Sequence, residues 1–105
     1  MTSIVFHPKA EAELRAAVHY YNDCQAGLGL DFAGEVHRSL QHILAFPNAW
    51  TRLSRNTQRY LINRFPYGII YSATKRDILI VAVMHLNRKP RSWTRRTPGR
   101  SANSS

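Results

Sequence analysis

The hydrophobic repeat of this chain changes at Pro47, and that change restricts the fold more than any other feature. Before it, Ala10, Leu14, Ala17, Val18 and Tyr21 follow the spacing of one helix face, with Glu11, Glu13 and Arg15 on the other side. Gly27 and Gly29 interrupt the pattern, and a second stripe of Phe32, Val36, Leu40, Ile43 and Leu44 runs on to Phe46, where Pro47 prevents extension. The spacing predicts a first helix over 8–24 and a second ending near 46, joined by a glycine link and packed as an antiparallel hairpin. Ahead of them, residues 3–7, SIVFH, read as a short strand that stops at Pro8, a good first residue for a helix.

After Pro47 the helical period is gone. Short runs rich in Ile, Val, Tyr and Leu predict strands near 50–54, 58–64, 68–74 and 77–85, with Thr74-Lys-Arg-Asp77 turning a hairpin between the last two. Links this short require antiparallel neighbours. The run from Ile78 to Met84 is apolar without strict alternation, so it is placed in the middle of the sheet, flanked on both sides and covered by the helices. The class is α+β, with a single domain over 1–93. Residues 94–105, TRRTPGRSANSS, offer nothing to bury and read as a disordered basic tail.

At 105 residues the chain has room for one core. No apolar stretch approaches the roughly 20 residues that span a bilayer, and the N-terminus lacks the apolar centre of a signal peptide, so a cytoplasmic protein without membrane contact is expected. Cys24 is the only cysteine, which excludes an internal disulfide and a cysteine-based zinc site. His7, His19, His37 and His42 lack metal-ligand spacing, and neither a metal nor another cofactor is expected.

Charge is divided unevenly. Residues 1–50 carry three Lys/Arg against five Asp/Glu, and residues 51–105 carry twelve against one, which gives −2 and +11. A split of this kind suits a face that meets a polyanion or an acidic protein. Arginine outnumbers lysine twelve to three, which favours planar recognition of phosphate or carboxylate over solubility alone.

RFPYGIIY (Arg64 to Tyr71) followed by ILIVAVMHLNRKPRSW (Ile78 to Trp93) resembles the RelE/ParE superfamily of bacterial toxins, in the ParE-like branch once called plasmid stabilisation proteins. AEAELRAAVHYYN and GLGLDFAGEV resemble that branch's helix pair and its glycine-containing link, so the likeness covers roughly residues 3–95. The resemblance implies the order β-α-α-β-β-β and a type II toxin-antitoxin module, in which a labile antitoxin holds the toxin inactive. ParE-like members poison DNA gyrase; RelE-like members cleave mRNA on the ribosome.

Metal-free RNA cleavage needs a base for the 2′-hydroxyl, a cation for the phosphorane and an acid for the leaving oxygen. His85, Arg64 and Arg88 are the catalytic candidates for that chemistry, with Lys89 and Tyr67 beside them. The RNA-cleaving relatives commonly carry an arginine three residues before the tyrosine of the central strand, where this chain has Gly68 before Tyr71. That departure favours a toxin that binds gyrase and catalyses nothing, through His85, Arg88, Lys89, Arg91, Arg95 and Arg96. An endoribonuclease is the alternative, and a degenerate toxin that only binds its antitoxin is the third reading. The antitoxin is expected to bring an acidic, amphipathic segment to the helix pair and the sheet edge. His85 has a structural alternative as a histidine bonded to a backbone carbonyl or to the Trp93 region. Trp93, Tyr67, Tyr71 and Tyr21 read as core aromatics.

Overall fold

The structure, a computed structural model, describes residues 2–87 and 96. Among these, β1 (Ser3–Phe6) leads into α1 (Pro8–Cys24) and α2 (Leu28–Ala45), followed by β2 (Thr51–Arg52), β3 (Gln58–Leu61), β4 (Tyr67–Ala73) and β5 (Asp77–His85). The sheet order is β1-β5-β4-β3-β2, antiparallel except where β1 lies parallel to β5. The α+β class and the strand, helix pair, sheet order are as the sequence predicts. The four runs after Pro47 all carry strand, so one very short strand, β2, is added to the β-α-α-β-β-β order.

Local chemistry sets the helix boundaries. His7 is the N-cap of α1, its Nδ1 accepting from the Lys9 N–H, and Pro8 follows in the first turn. Gly27 caps α2 with φ of 89°, a left-handed conformation that costs glycine little, and its N–H donates to Asn22 Oδ1. Gly29 is not part of the link, as the sequence suggested, but lies buried in the first turn of α2. All five residues of the first helical stripe and all five of the second join one core, with Phe32 and Ile43 fully enclosed. Full burial of side chains this size contributes about 1.5–3 kcal/mol each.

β5 is internal, as predicted, but β4 is the geometric centre. Ile70 pairs with Ala82 and Tyr71 with Ile80, so Val81 is an extra residue opposite no partner, a β-bulge. Ile78, Ile80 and Val83 therefore face the helices, while Val81 and Ala82 both face the opposite side with Met84 and Ile70. Two-sided burial together with a bulge explains why this run does not alternate.

The predicted strand 58–64 stops at Leu61, because the chain turns through Arg64, whose φ is 74°. A left-handed conformation at a residue with a side chain costs about 1 kcal/mol or more, offset here by the contacts of Arg64 described below. Tyr67 N–H then donates to Phe65 O around Pro66 and Leu86 N–H to Pro66 O, which extends the β4–β5 pairing past the strand end.

Tyr71 closes the other end of the core. Its ring is fully buried and its hydroxyl donates to Pro47 O at 2.6 Å. Burial pushes the phenol up from its ordinary value of 10 to about 12, although the nearby Arg52 cation pulls it down. The folded state therefore keeps this proton in a range where the unfolded chain releases it. Stability from this group should be complete below pH 10 and fall as pH rises towards 12. Urea unfolding of the wild type and Tyr71→Phe across that range checks this: the gap between them should narrow, and a constant gap would refute it.

Candidate functional site

The end of the molecule that holds His85 gathers the C-terminus of α1, the start of α2, the β3–β4 turn and the end of β5. Tyr21, Phe32, Phe65 and Tyr67 pack there ring against ring, with centroids 4.9–6.0 Å apart. A groove of about 560 Å³ opens beside them, lined by Ala16, Ala17, Tyr20, Tyr21, Tyr67 and His85 among others. Tyr20 stands 60% exposed, and burial, the largest cause, pushes the Tyr21 phenol above its ordinary value. The lining is chiefly aromatic and apolar, as a surface for protein side chains would be.

His85 lies on the groove, its ring edge-on to Tyr67 at 5.2 Å. Its Nδ1 accepts from the Asn87 N–H at 3.1 Å, so the neutral ring carries its proton on Nε2. In that tautomer Nε2 is a hydrogen-bond donor and not a base. The structural alternative expected a bond to a backbone carbonyl, whereas the ring accepts from a backbone N–H and still faces the groove.

Arg64, the candidate for phosphorane charge, turns to α2. Its guanidinium lies 3.6 Å from Glu35 and 3.9 Å from Asp31 and over the Phe65 ring. Glu35 is 6% exposed at its side chain and is also approached by Arg38 at 3.4 Å, so two cations serve one buried carboxylate. Gly68 pairs with Leu61 and Met84, and a side chain there would touch Arg59 and Leu86 at 3.4 Å. That position faces the side of the sheet away from the helices.

Arg96 is not displayed to solvent. Its side chain is 13% exposed, and its Nη1 and Nη2 meet the two carboxylate oxygens of Glu13 at 2.9 and 3.0 Å. Nη1 also donates to Val81 O, while Glu13 Oε1 accepts from Val83 N–H. These two backbone groups lie on the edge of β5 that β1 leaves open, because β1 ends opposite Ile80. Arg88, Lys89, Arg91, Arg95 and Trp93 fall outside the described residues, as does the tail after Arg96.

Glu13 and Glu35 are the residues that sequence reading missed, the spacing having assigned Glu13 to the outward side of α1. Both stand three residues after a buried one, Ala10 and Phe32, and four before another, Ala17 and Ser39. That spacing puts a carboxylate at the border of the buried stripe and was the available signal. Among the described residues no group of three His, Cys, Asp or Glu side chains is placed to hold a metal, and no helix is long and apolar enough to cross a membrane.

Comparison with known proteins agrees with this architecture. In structure the chain is similar to a chain of the chromosomal ParDE TA system from P. aeruginosa, with a TM-score of 0.71 at 18% identity, covering 81% of this chain and 96% of that one. No individually curated protein matches the sequence. Residues 4–90 match the family model described as ParE toxin of type II toxin-antitoxin system, parDE. That match takes in both helices and all of the sheet except Ser3, and the chain belongs to the ParE toxin family of type II toxin-antitoxin systems.

Proposed function

We propose that this toxin arrests bacterial growth in the cytoplasm by binding DNA gyrase and poisoning it, without catalysing a reaction itself, and that a cognate antitoxin with an acidic segment neutralises it. The observation that carries the reading is the state of the two catalytic candidates that the structure describes. Arg64 is engaged by Glu35 and Asp31, and His85 accepts a backbone N–H at Nδ1, which leaves Nε2 as a donor. Metal-free RNA cleavage needs a free cation for the phosphorane and a base for the 2′-hydroxyl. An apolar, aromatic groove beside His85 instead suits side chains of a protein target. The basic groups Arg88, Lys89, Arg91 and Arg95 follow His85 in the chain and complete the proposed target-binding set, from which Arg96, expected there from the sequence, is left out because Glu13 engages it. The +11 half supplies the charge complementarity that draws in an acidic antitoxin.

Induction of the toxin in bacteria should produce filamentation and gyrase-dependent DNA breaks, and coexpression of its antitoxin should restore growth. Normal DNA topology together with ribosome-dependent mRNA cleavage would instead identify an endoribonuclease. Growth without arrest would leave only the antitoxin-binding module.

A further inference from the structure

The far end of the sheet from His85 carries a second charged surface. β3 begins at Gln58, opposite Tyr71, so Ser72 and Ala73 at the end of β4 have no strand on that side. The β2–β3 turn stands across the gap, and a notch of about 410 Å³ lies between them, lined by Arg52, Arg55, Asn48, Asn56, Ser72 and Thr74 among others. Its walls are fixed. Thr57 O accepts from the N–H groups of Leu53 and Ser54, and the Ser54 and Thr57 hydroxyls bond at 2.7 Å. Arg52 Nη1 donates to Arg55 O at 3.0 Å, which holds one guanidinium beside the loop that bears the other. Across the notch, Thr74 Oγ1 accepts from the N–H groups of Arg76 and Asp77 and sets the hairpin that exposes Lys75 and Arg76.

These cations are not balanced. The sequence has no acid between Glu35 and Asp77, and among the described residues Arg52, Arg55, Lys75 and Arg76 enter no ion pair, while Arg15, Arg38, Arg64 and Arg96 all do. Acids of the first half of the chain thus pair with those four arginines and with none of this row. The side chains lining the notch are cationic, amide, hydroxyl and methyl, with no aromatic among them. Such a surface tracks a phosphate backbone but has no platform on which a splayed base could stack.

We propose that this notch and the neighbouring hairpin tip bind the phosphodiester backbone of a nucleic-acid duplex, with Arg52 and Arg55 on one strand's phosphates and Lys75 and Arg76 extending the contact. The site lies at the opposite end of the sheet from the gyrase-directed groove, and it stands or falls independently of that reading. It gives the toxin a contact with nucleic acid that does not depend on sequence.

The test is fluorescence anisotropy of the full chain with a labelled DNA duplex of about 20 base pairs across a salt series. Arg52→Gln/Arg55→Gln should bind more weakly, and the slope of log affinity against log salt should fall by about 2, one for each phosphate that the variant no longer neutralises. A single strand of the same length should bind less well than the duplex, and polyglutamate of equal charge should compete poorly. An unchanged slope, a preference for the single strand, or equal competition by polyglutamate would overturn the proposal, the last by identifying an acidic protein as the occupant. Should the double variant fail to fold, Lys75→Gln/Arg76→Gln, on an exposed hairpin tip, must show the same decrease in slope.

Discussion

Gly29→Ala should destabilise the protein by about 3 kcal/mol, and Gly34→Ala, five residues along the same helix, should stabilise it by up to about 1 kcal/mol. The contrast arises from what an added methyl would meet. At Gly29 a Cβ would lie 2.5 Å from the backbone oxygen of Val18, with Asn22 Cβ and Val18 Cγ1 at 3.1 and 3.2 Å. The oxygen belongs to the interior of α1 and cannot move without displacing a turn of helix, so the two helices must separate and disturb the core they share. At Gly34 nothing lies within 4 Å, and alanine simply reduces the freedom of the unfolded chain. Urea unfolding of both variants measures the difference. A Gly29→Ala protein as stable as the wild type would show that the helix crossing is not set by this contact.

The second large effect is expected at the open edge of β5. Glu13→Ala should cost about 3 kcal/mol, because it leaves the nearly buried Arg96 guanidinium without its counter-ion, bonded only to Val81 O, and the Val83 N–H without an acceptor. Arg96→Ala should cost less, since Glu13 is 28% exposed at its side chain and keeps its bond to Val83. The double variant should lose less than the sum of the two, with a coupling of about 1–3 kcal/mol measured by a double-mutant cycle. Removal of Arg96 and all residues after it should match Arg96→Ala. If that shortened chain is as stable as the full one, the ion pair does not contribute to the fold.

The pair also bears on how the protein avoids unwanted association. A strand edge with unpaired N–H and C=O groups is a template for pairing with another chain. β1 protects only the first half of β5, and Glu13 with Arg96 occupies the acceptor and donor that follow. The two side chains thus continue the cover that β1 begins.

Much of this fold could be read locally. The helix over Pro8–Cys24 has the predicted bounds, the Thr74–Asp77 turn falls where the polar break lies, and both apolar stripes face one core. These features depend on residues within a few positions of one another, so periodicity and turn chemistry reveal them. The turn at Arg64 was less visible, because its left-handed backbone is held by Glu35 and Asp31, about thirty residues away. Gly29 read as a loop residue because glycine is common in links, whereas here it permits a close approach between helices, which no local pattern records.

The candidate site was legible in part. His85 and Tyr67 do meet at the groove, since neighbouring strands bring their ends together. The roles of the charges were not legible. By itself the sequence determined the order of helices and strands, the inward face of each helix, the likeness to ParE toxins and the excess of positive charge after residue 50. Only the tertiary structure decided which of those charges, among the described residues, are held in ion pairs. Arg64 and Arg96 are held by Glu35 and Glu13, the latter pair 83 positions apart, while Arg52, Arg55, Lys75 and Arg76 enter no ion pair among the described residues. The reason is that Coulomb attraction acts through space, and the chain's path alone sets which opposite charges come within a few ångströms.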